Sequence, residues 1–302
     1  MLTKKARYRL IQLHFCQGVT RRTIRKILHQ DPTLSLIEQL TPSEMHQLFT
    51  IPFKHATLLY KGIRDSEQLR KIIHYEKRYQ IITIFDEKYP LTLRNIPDPP
   101  YVLYAVGDLD LLNYPKNISV IGTRKPSYQV RDKIEYVIKP LLDNNWLIVS
   151  GMAIGVDSMA HHFTLNNHGK TIAVLGSGFE HIYPKRNTPL FYQIAKKGLA
   201  LSEYPPEIPP KSYHFPERNR IISGLSFGTL VIEATERSGT LITVDQALDQ
   251  GREVYAVPGT PTMPQTKGCH KIIQEGAKLV SNATDIEDDW ASFGKEWLQQ
   301  KL

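Results

Sequence analysis

Three turns in the second half of the chain have the composition of phosphate cradles: Gly122-Thr123-Arg124-Lys125, Gly176-Ser177-Gly178-Phe179 and Ser238-Gly239-Thr240. Each follows a run that reads as a strand or opens a segment that reads as a helix. A strand-to-helix turn offers an anion unbonded amides and the positive end of a helix dipole. None of the three is G-x-G-x-x-G, so a dinucleotide fingerprint is missing, and glycine that merely permits a tight turn is the plain alternative for each. The chain has no G-x-x-x-x-G-K-[ST] loop, which argues against an ATP-driven recombinase or helicase.

Basic side chains recur near these turns: Arg124 and Lys125, then Lys185 and Arg186 in Tyr183-Pro184-Lys185-Arg186-Asn187, then Arg218 and Arg220 in Phe215-Pro216-Glu217-Arg218-Asn219-Arg220. Convergence of these cations with Phe179, Tyr183, Tyr213 and Phe215 would suit single-stranded DNA, whose phosphates need cations and whose unpaired bases stack on aromatic faces. Taken singly, each has a commoner fate as a surface salt bridge or a core aromatic.

Catalytic constellations are thin. Asp157, His161 and His162 place a carboxylate and an imidazole four residues apart, half of a metal site without a third ligand at a recognisable spacing. Helix-surface pairing or N-terminal hydrogen bonding is the expected use. Cys16 and Cys269 are the only cysteines and form neither a C-x-x-C pair nor a disulfide framework. Glu233 ends a strand-like run just before Ser238-Gly239-Thr240 and could align a ribose, which keeps a nucleotide hydrolase in play. No metal and no cofactor is expected.

These residues need a scaffold, and 302 residues with 41% hydrophobic content can bury a large α/β core with a smaller domain beside it. Residues 1–78 read as short helices starting at Thr20, at Thr41 with Pro42, and at Asp65. They hold 15 Lys/Arg against 6 Asp/Glu, while the remainder of the chain sums to −1; such a cationic domain suits a polyanion or simply a solvated surface. The stretches Phe15–Thr20 and Phe49–Lys54 resemble degraded helix-hairpin-helix turns that lack expected glycines, with a small packing module as the alternative. Residues 79–116 read as a β-rich, proline-punctuated connector. From 117 to 284, Val/Ile/Leu-rich runs alternate with helix-length segments, the rhythm of a doubly wound, mainly parallel sheet with its ligands beyond the carboxyl ends of the strands. Residues 285–302 read as an acidic C-terminal helix docked through Trp290, Phe293 and Trp297. With neither a membrane-length apolar run nor a signal-peptide pattern, a soluble cytoplasmic protein with no membrane partner is expected.

The ordered set Ile121-Gly122-Thr123-Arg124, Ser150 to Asp157, Ala173 to Gly178, Tyr183-Pro184-Lys185, Ser202 to Pro206, Phe215 to Arg220, Glu233-Ala234, Ser238 to Thr243, Gly251-Arg252 and Val257-Pro258-Gly259 resembles the signature of the DNA-processing protein A (DprA/Smf) family. The resemblance implies an extended Rossmann-like domain behind a sterile-alpha-motif-like helical domain. It also implies a non-enzymatic mediator that binds single-stranded DNA, forms homodimers and loads RecA recombinase during natural transformation, with single-strand-binding proteins as further candidate partners. Carried over by motif, Gly122, Thr123, Arg124, Lys125, Gly176, Ser177, Gly178, Lys185, Arg218, Asn219, Arg220, Ser238, Gly239 and Thr240 would contact DNA. His270, Ile273 and Leu279 would form the dimer interface, and Leu248 would lie at the RecA contact. The sequence ends before the winged-helix domain that many relatives add. The rival reading is a nucleoside-monophosphate phosphoribohydrolase of a related Rossmann-like fold, whose Pro-Gly-Gly-x-Gly-Thr loop is absent here.

Overall fold

The computed structural model describes residues 4–299; residues 1–3 and 300–302, the ends of the expected helical domain and of the expected C-terminal helix, lie outside them. The chain divides into two compact units. One runs to Tyr89 and takes in Pro100–Tyr104; the other comprises Pro90–Pro99 and the chain from Ala105 onward.

The first unit contains helices α1 (Lys4–Phe15), α2 (Arg21–Gln30), α3 (Pro42–Phe49), α4 (Phe53–Gly62) and α5 (Ser66–Glu76), then strand β1 (Gln80–Thr83). The three expected helix starts are N-caps. Thr20 and Asp65 accept backbone N–H bonds from the first turns of α2 and α5, and Thr41 and Glu44 form a reciprocal capping box ahead of α3. Leu10, Leu13, Ile24, Ile27, Phe49 and Leu59 are fully or almost fully buried, so apolar residues at helical spacing form this core.

The expected 79–116 connector is divided between the units. Ile84 N–H donates to the Tyr101 carbonyl at 3.0 Å and the Tyr89 hydroxyl to the Pro100 carbonyl at 2.6 Å, which ties those residues to the first unit. The short helix α6 (Leu91–Arg94) and the turn after it belong to the second, where Arg252 donates to the Thr92 carbonyl at 3.0 Å and Arg220 to the Asp98 carbonyl at 2.8 Å. Strand β2 (Val102–Gly107) begins in the first unit and ends in the second.

The second unit alternates β3 (Asn117–Gly122), α7 (Val130–Asp143), β4 (Leu147–Ser150), α8 (Val156–Asn166), β5 (Thr171–Leu175), α9 (Thr188–Lys197) and β6 (Leu199–Ser202). It continues with α10 (His214–Leu225), β7 (Gly228–Glu233), α11 (Gly239–Asp249), β8 (Glu253–Ala256), α12 (Pro264–Gln274), β9 (Lys278–Leu279) and α13 (Thr284–Gln299). Strands β3 to β9 pair in parallel in the order β6-β5-β4-β3-β7-β8-β9. This is the expected Rossmann-like doubly wound sheet, and its apolar runs are buried because helices cover both faces. The chain winds outward from β3 in one direction and returns beside it at β7 to wind the other way. The gap beyond the carboxyl ends of β3 and β7 is therefore the switch point where such sheets hold ligands. Helix α13 docks on one face: Ile286 and Trp297 are buried among Trp146, Phe227 and Leu230, and Trp146 Nε1–H donates to Glu287 at 2.6 Å. Among the described residues no helix is long and apolar enough to cross a membrane.

Candidate nucleic-acid interface

An open cleft of about 890 Å³ lies at that switch point, lined by the β3 turn Gly122-Thr123-Arg124-Lys125, the start of α8 at Asp157, α10 at Phe215, Arg218 and Asn219, and the α11 start Ser238-Gly239-Thr240. The β3 turn is held by two backbone bonds, Thr123 N–H to Glu233 O at 2.7 Å and Val156 N–H to Thr123 O at 3.2 Å, and by Lys125 N–H donating to the Thr123 side-chain hydroxyl at 3.2 Å. Glycine is required where α8 starts. Gly155 has φ +89°, and a Cβ there would stand 2.3 Å from the Thr123 carbonyl.

Arg124, Lys125, Lys211 and Arg218 line the cleft against a single carboxylate, Asp157, so its field favours an anion. Arg124 and Lys125 are exposed and free to meet a ligand. Arg218 is only 4% exposed; its guanidinium donates to the carbonyls of Gly151, at 2.6 Å, and Val174, and its Nε–H to Asn219 Oδ1 at 3.2 Å. Burial pushes its pKa down to about 10, so it keeps its charge at neutral pH and underlies the site as a fixed cation. Burial raises the Asp157 carboxyl, opposed by Arg218 and by bonds from the Ala153 and Gly151 backbone. Aromatic rings border one end. Tyr183 and Phe215 have centroids 5.3 Å apart, and the Arg124 guanidinium carbon lies 5.9 Å from the Phe215 centroid. Together with Gly176 they enclose a smaller hollow opening beside Arg218.

Several expected residues lie elsewhere. Arg220 is buried in a bidentate pair with Glu203, at 2.8 and 2.9 Å, and its other nitrogens donate to the Asp98 and Glu217 carbonyls. It does not reach the cleft. The Gly176-Ser177-Gly178 turn does not offer a cradle of free amides: Gly178 N–H donates to Ile208 O at 2.9 Å, the Ser177 hydroxyl to His181 O at 2.7 Å, and a Cβ on Gly178 would collide with Pro205 O at 2.1 Å. That turn packs closely against the 205–208 loop. Phe179 is buried against Phe191. Lys185 is exposed beyond the residues that line the cleft. Ser238 caps its own helix by accepting from Thr240 N–H at 3.1 Å.

Glu233, the candidate base of a nucleotide hydrolase, is fully buried. Its carboxylate accepts from Ser127 N–H at 2.8 Å, the Ser127 hydroxyl at 2.6 Å and Lys133 Nζ at 2.8 Å. Both oxygens are committed to the loop after β3. His161 is buried beneath α8 with Nδ1 2.7 Å from the Thr171 hydroxyl, and among the described residues no group of His, Cys, Asp and Glu could hold a metal ion.

The sequence profile described as DNA recombination-mediator protein A matches residues 80–291. The chain belongs to that family. It is a family of DNA-processing recombination mediators. The chain is similar to the DNA processing protein DprA of Bacillus subtilis, 45% identical over 214 residues that cover 71% of this chain and 72% of the relative. It is likewise similar to the DprA of Streptococcus pneumoniae, 46% identical over 216 residues covering 70% and 76%. The solved structure of S. pneumoniae DprA superimposes with a TM-score of 0.83 at 38% identity over 95% of this chain and 98% of that one. A structure of the Helicobacter pylori DprA, described by its single-stranded DNA binding mode, gives a TM-score of 0.61 at 29% identity over 74% of this chain and 98% of that one.

Sequence reasoning did not single out Lys211, Ile222 or Gln265 of the lining. Only Lys211 left a signal, as a cation between the Pro209-Pro210 pair and the α10 start; the others come close through folding alone. The remaining expected contacts lie on other surfaces. Leu248 is exposed on α11, Leu279 is exposed on the edge strand β9, Ile273 is half-buried on α12, and His270 Nε2 lies 3.0 Å from the Gly259 carbonyl.

Proposed function

We propose that the switch-point cleft binds single-stranded DNA, with Arg124 and Lys125 on phosphates and the Tyr183–Phe215 pair stacking an unpaired base. The observation that carries this reading is the meeting of free cations and aromatic faces over a cleft with no poised base, Glu233 being spent on Ser127 and Lys133. Cation-plus-ring surfaces hold single strands without reading sequence. The H. pylori relative, named for single-stranded DNA binding, supports the same ligand. On this reading the chain is a mediator that loads RecA onto incoming DNA during natural transformation, with Leu248 on the RecA-facing helix. His270, Ile273 and Leu279 lie at a homodimer interface, and single-strand-binding proteins are further partners. Gel shifts of matched single-stranded and duplex oligonucleotides, beside RecA-filament assembly on coated single strands, test it. Single-strand affinity and salt slope left unchanged by loss of Arg124 and Lys125 together in a folded variant would overturn it.

A further inference from the structure

Helix α2 carries Arg21, Arg22, Arg25 and Lys26 and no acid. Ile24 and Ile27 are buried, which turns Arg22, Arg25, Lys26 and His29 outward, all exposed. Their spacing of i, i+3, i+4, i+7 makes them one stripe. Like charges at these spacings repel, and cations in the first turn oppose the helix dipole. Helices α3 and α5 of the same unit do the reverse, with Glu44 and Glu67 in their first turns. A surface kept only for solubility would intersperse acids. On α2 no acid is interspersed.

The stripe does not end with α2. Lys26 Nζ donates to the Thr50 carbonyl at 2.8 Å, and a Cβ on Gly18 would stand 3.5 Å from the His55 ring. The turn before α2 and the turn before α4 are therefore neighbours. Helix α4 adds Lys54 and His55 in a first turn that also lacks acids, and Phe53 beside them is 55% exposed. Arg22 and Lys54 are exposed, and no carboxylate among the described residues pairs with either. The apolar face of α2 is used up inside its own unit, so it has nothing to insert into a bilayer.

We propose that the helical unit bears a second nucleic-acid surface, formed by the α2 stripe with Lys54 and Phe53 at the α3–α4 turn, which takes the phosphate backbone. It is a different surface from the switch-point cleft, on a different unit, and does not depend on what the cleft binds.

The test uses the full chain with Arg22→Glu/Lys54→Glu, and Arg22→Gln/Lys54→Gln as the milder pair, each checked by thermal melting. Binding of a long single strand, of a duplex and of anionic lipid vesicles is followed against salt. The double reversal should weaken binding to at least one nucleic acid and lower its log–log salt slope by about 1.5, the sum for two phosphate contacts. The same loss should appear in an Arg124→Glu background, which separates this surface from the cleft; the strand or duplex arm that responds identifies the source of the phosphates. In the wild-type chain, the responding nucleic acid should also shield Lys54 from chemical acetylation, a readout that needs no mutant. Unchanged affinity and slope in folded variants, loss of vesicle binding alone, or Lys54 that stays fully reactive in the complex would each overturn the proposal.

Discussion

The guanidinium of Arg218 fills the space that a side chain on Gly151 would need: Nη1 donates to the Gly151 carbonyl at 2.6 Å, and a Cβ on Gly151 would stand 2.4 Å from Nη1 and Nη2. Glycine after β4 is thus imposed by an arginine arriving from α10. Gly151→Ala should displace Arg218 and cost about 2 kcal/mol, the usual range for overpacking. Arg218→Met should cost about 3 kcal/mol by leaving the Gly151 and Val174 carbonyls without their donor and Asp157 without its nearby cation. Urea midpoints measure both, and wild-type values would show that Arg218 does not hold the site together.

Arg124 is exposed and forms no salt bridge among the described residues, so its charge should matter more to the ligand than to the fold. Arg124→Glu should keep the melting temperature within about a degree or two, as surface changes do. It should lower the single-strand affinity and reduce the log–log salt slope by about 0.7 or more. A salt titration with intact affinity would remove Arg124 from the interface.

Glu233 is the counter-ion of Lys133 and the anchor of Ser127, and not a base. Glu233→Gln should therefore destabilise the chain by about 3 kcal/mol, since it leaves a mostly buried ammonium without its partner. The wild-type chain should release no base from nucleoside monophosphates and hydrolyse no ATP. Sustained turnover that vanishes with Glu233→Gln would restore the hydrolase reading.

The dimer assignment separates cleanly at Leu279, which is 45% exposed on the edge strand β9, from Ile273, which is half-buried. In an isologous interface one substitution acts twice. Leu279→Glu should give a folded monomer that binds short oligonucleotides but loses strand-bridging complexes. Ile273→Glu should weaken the dimer and also lower stability. A Leu279→Glu variant that sediments as a dimer would place the interface elsewhere.

His161 provides a pH signature. Burial holds its imidazole down to about pKa 3, below its ordinary value of 6.5, so the unfolded chain binds this proton and the folded chain does not. Stability from this group is complete above pH 6.5 and is lost as pH falls towards 3. At pH 5 the loss is about 2 kcal/mol. Denaturation midpoints measured across this range should show that slope, and His161→Asn should flatten it. An imidazole resonance of His161 that titrates near 6.5 in the folded protein would refute the assignment.

Element order and helix starts were legible in the chain because each depends on neighbours in sequence. Thr20, Thr41 and Asp65 cap helices through amides two or three residues away. Runs such as Leu147–Val149 and Ile172–Leu175 are apolar at consecutive positions because both faces of a parallel sheet are covered. The turn after β3 was legible for the same local reason. The seam at 79–116 was not, since Tyr89, Thr92, Asp98 and Tyr101 choose a unit through bonds to distant partners.

By itself the sequence determined the family signature, the alternating elements and the cationic bias of the first 78 residues. It could not say what each cation faces. Arg218 and Arg220 stand two residues apart in one motif, and at 100° per residue their side chains leave α10 about 200° apart. One therefore lies under the cleft, against Gly151 and Val174, and the other in a closed pair with Glu203. The same holds for the glycine turns. The β3 turn opens into the cleft, whereas the Gly178 end of Gly176-Ser177-Gly178 is closed by the 205–208 loop. An amide or a guanidinium is available to a ligand only when no other part of the chain has taken its hydrogen bonds, and those competitors lie tens of residues away, where only tertiary packing brings them into reach.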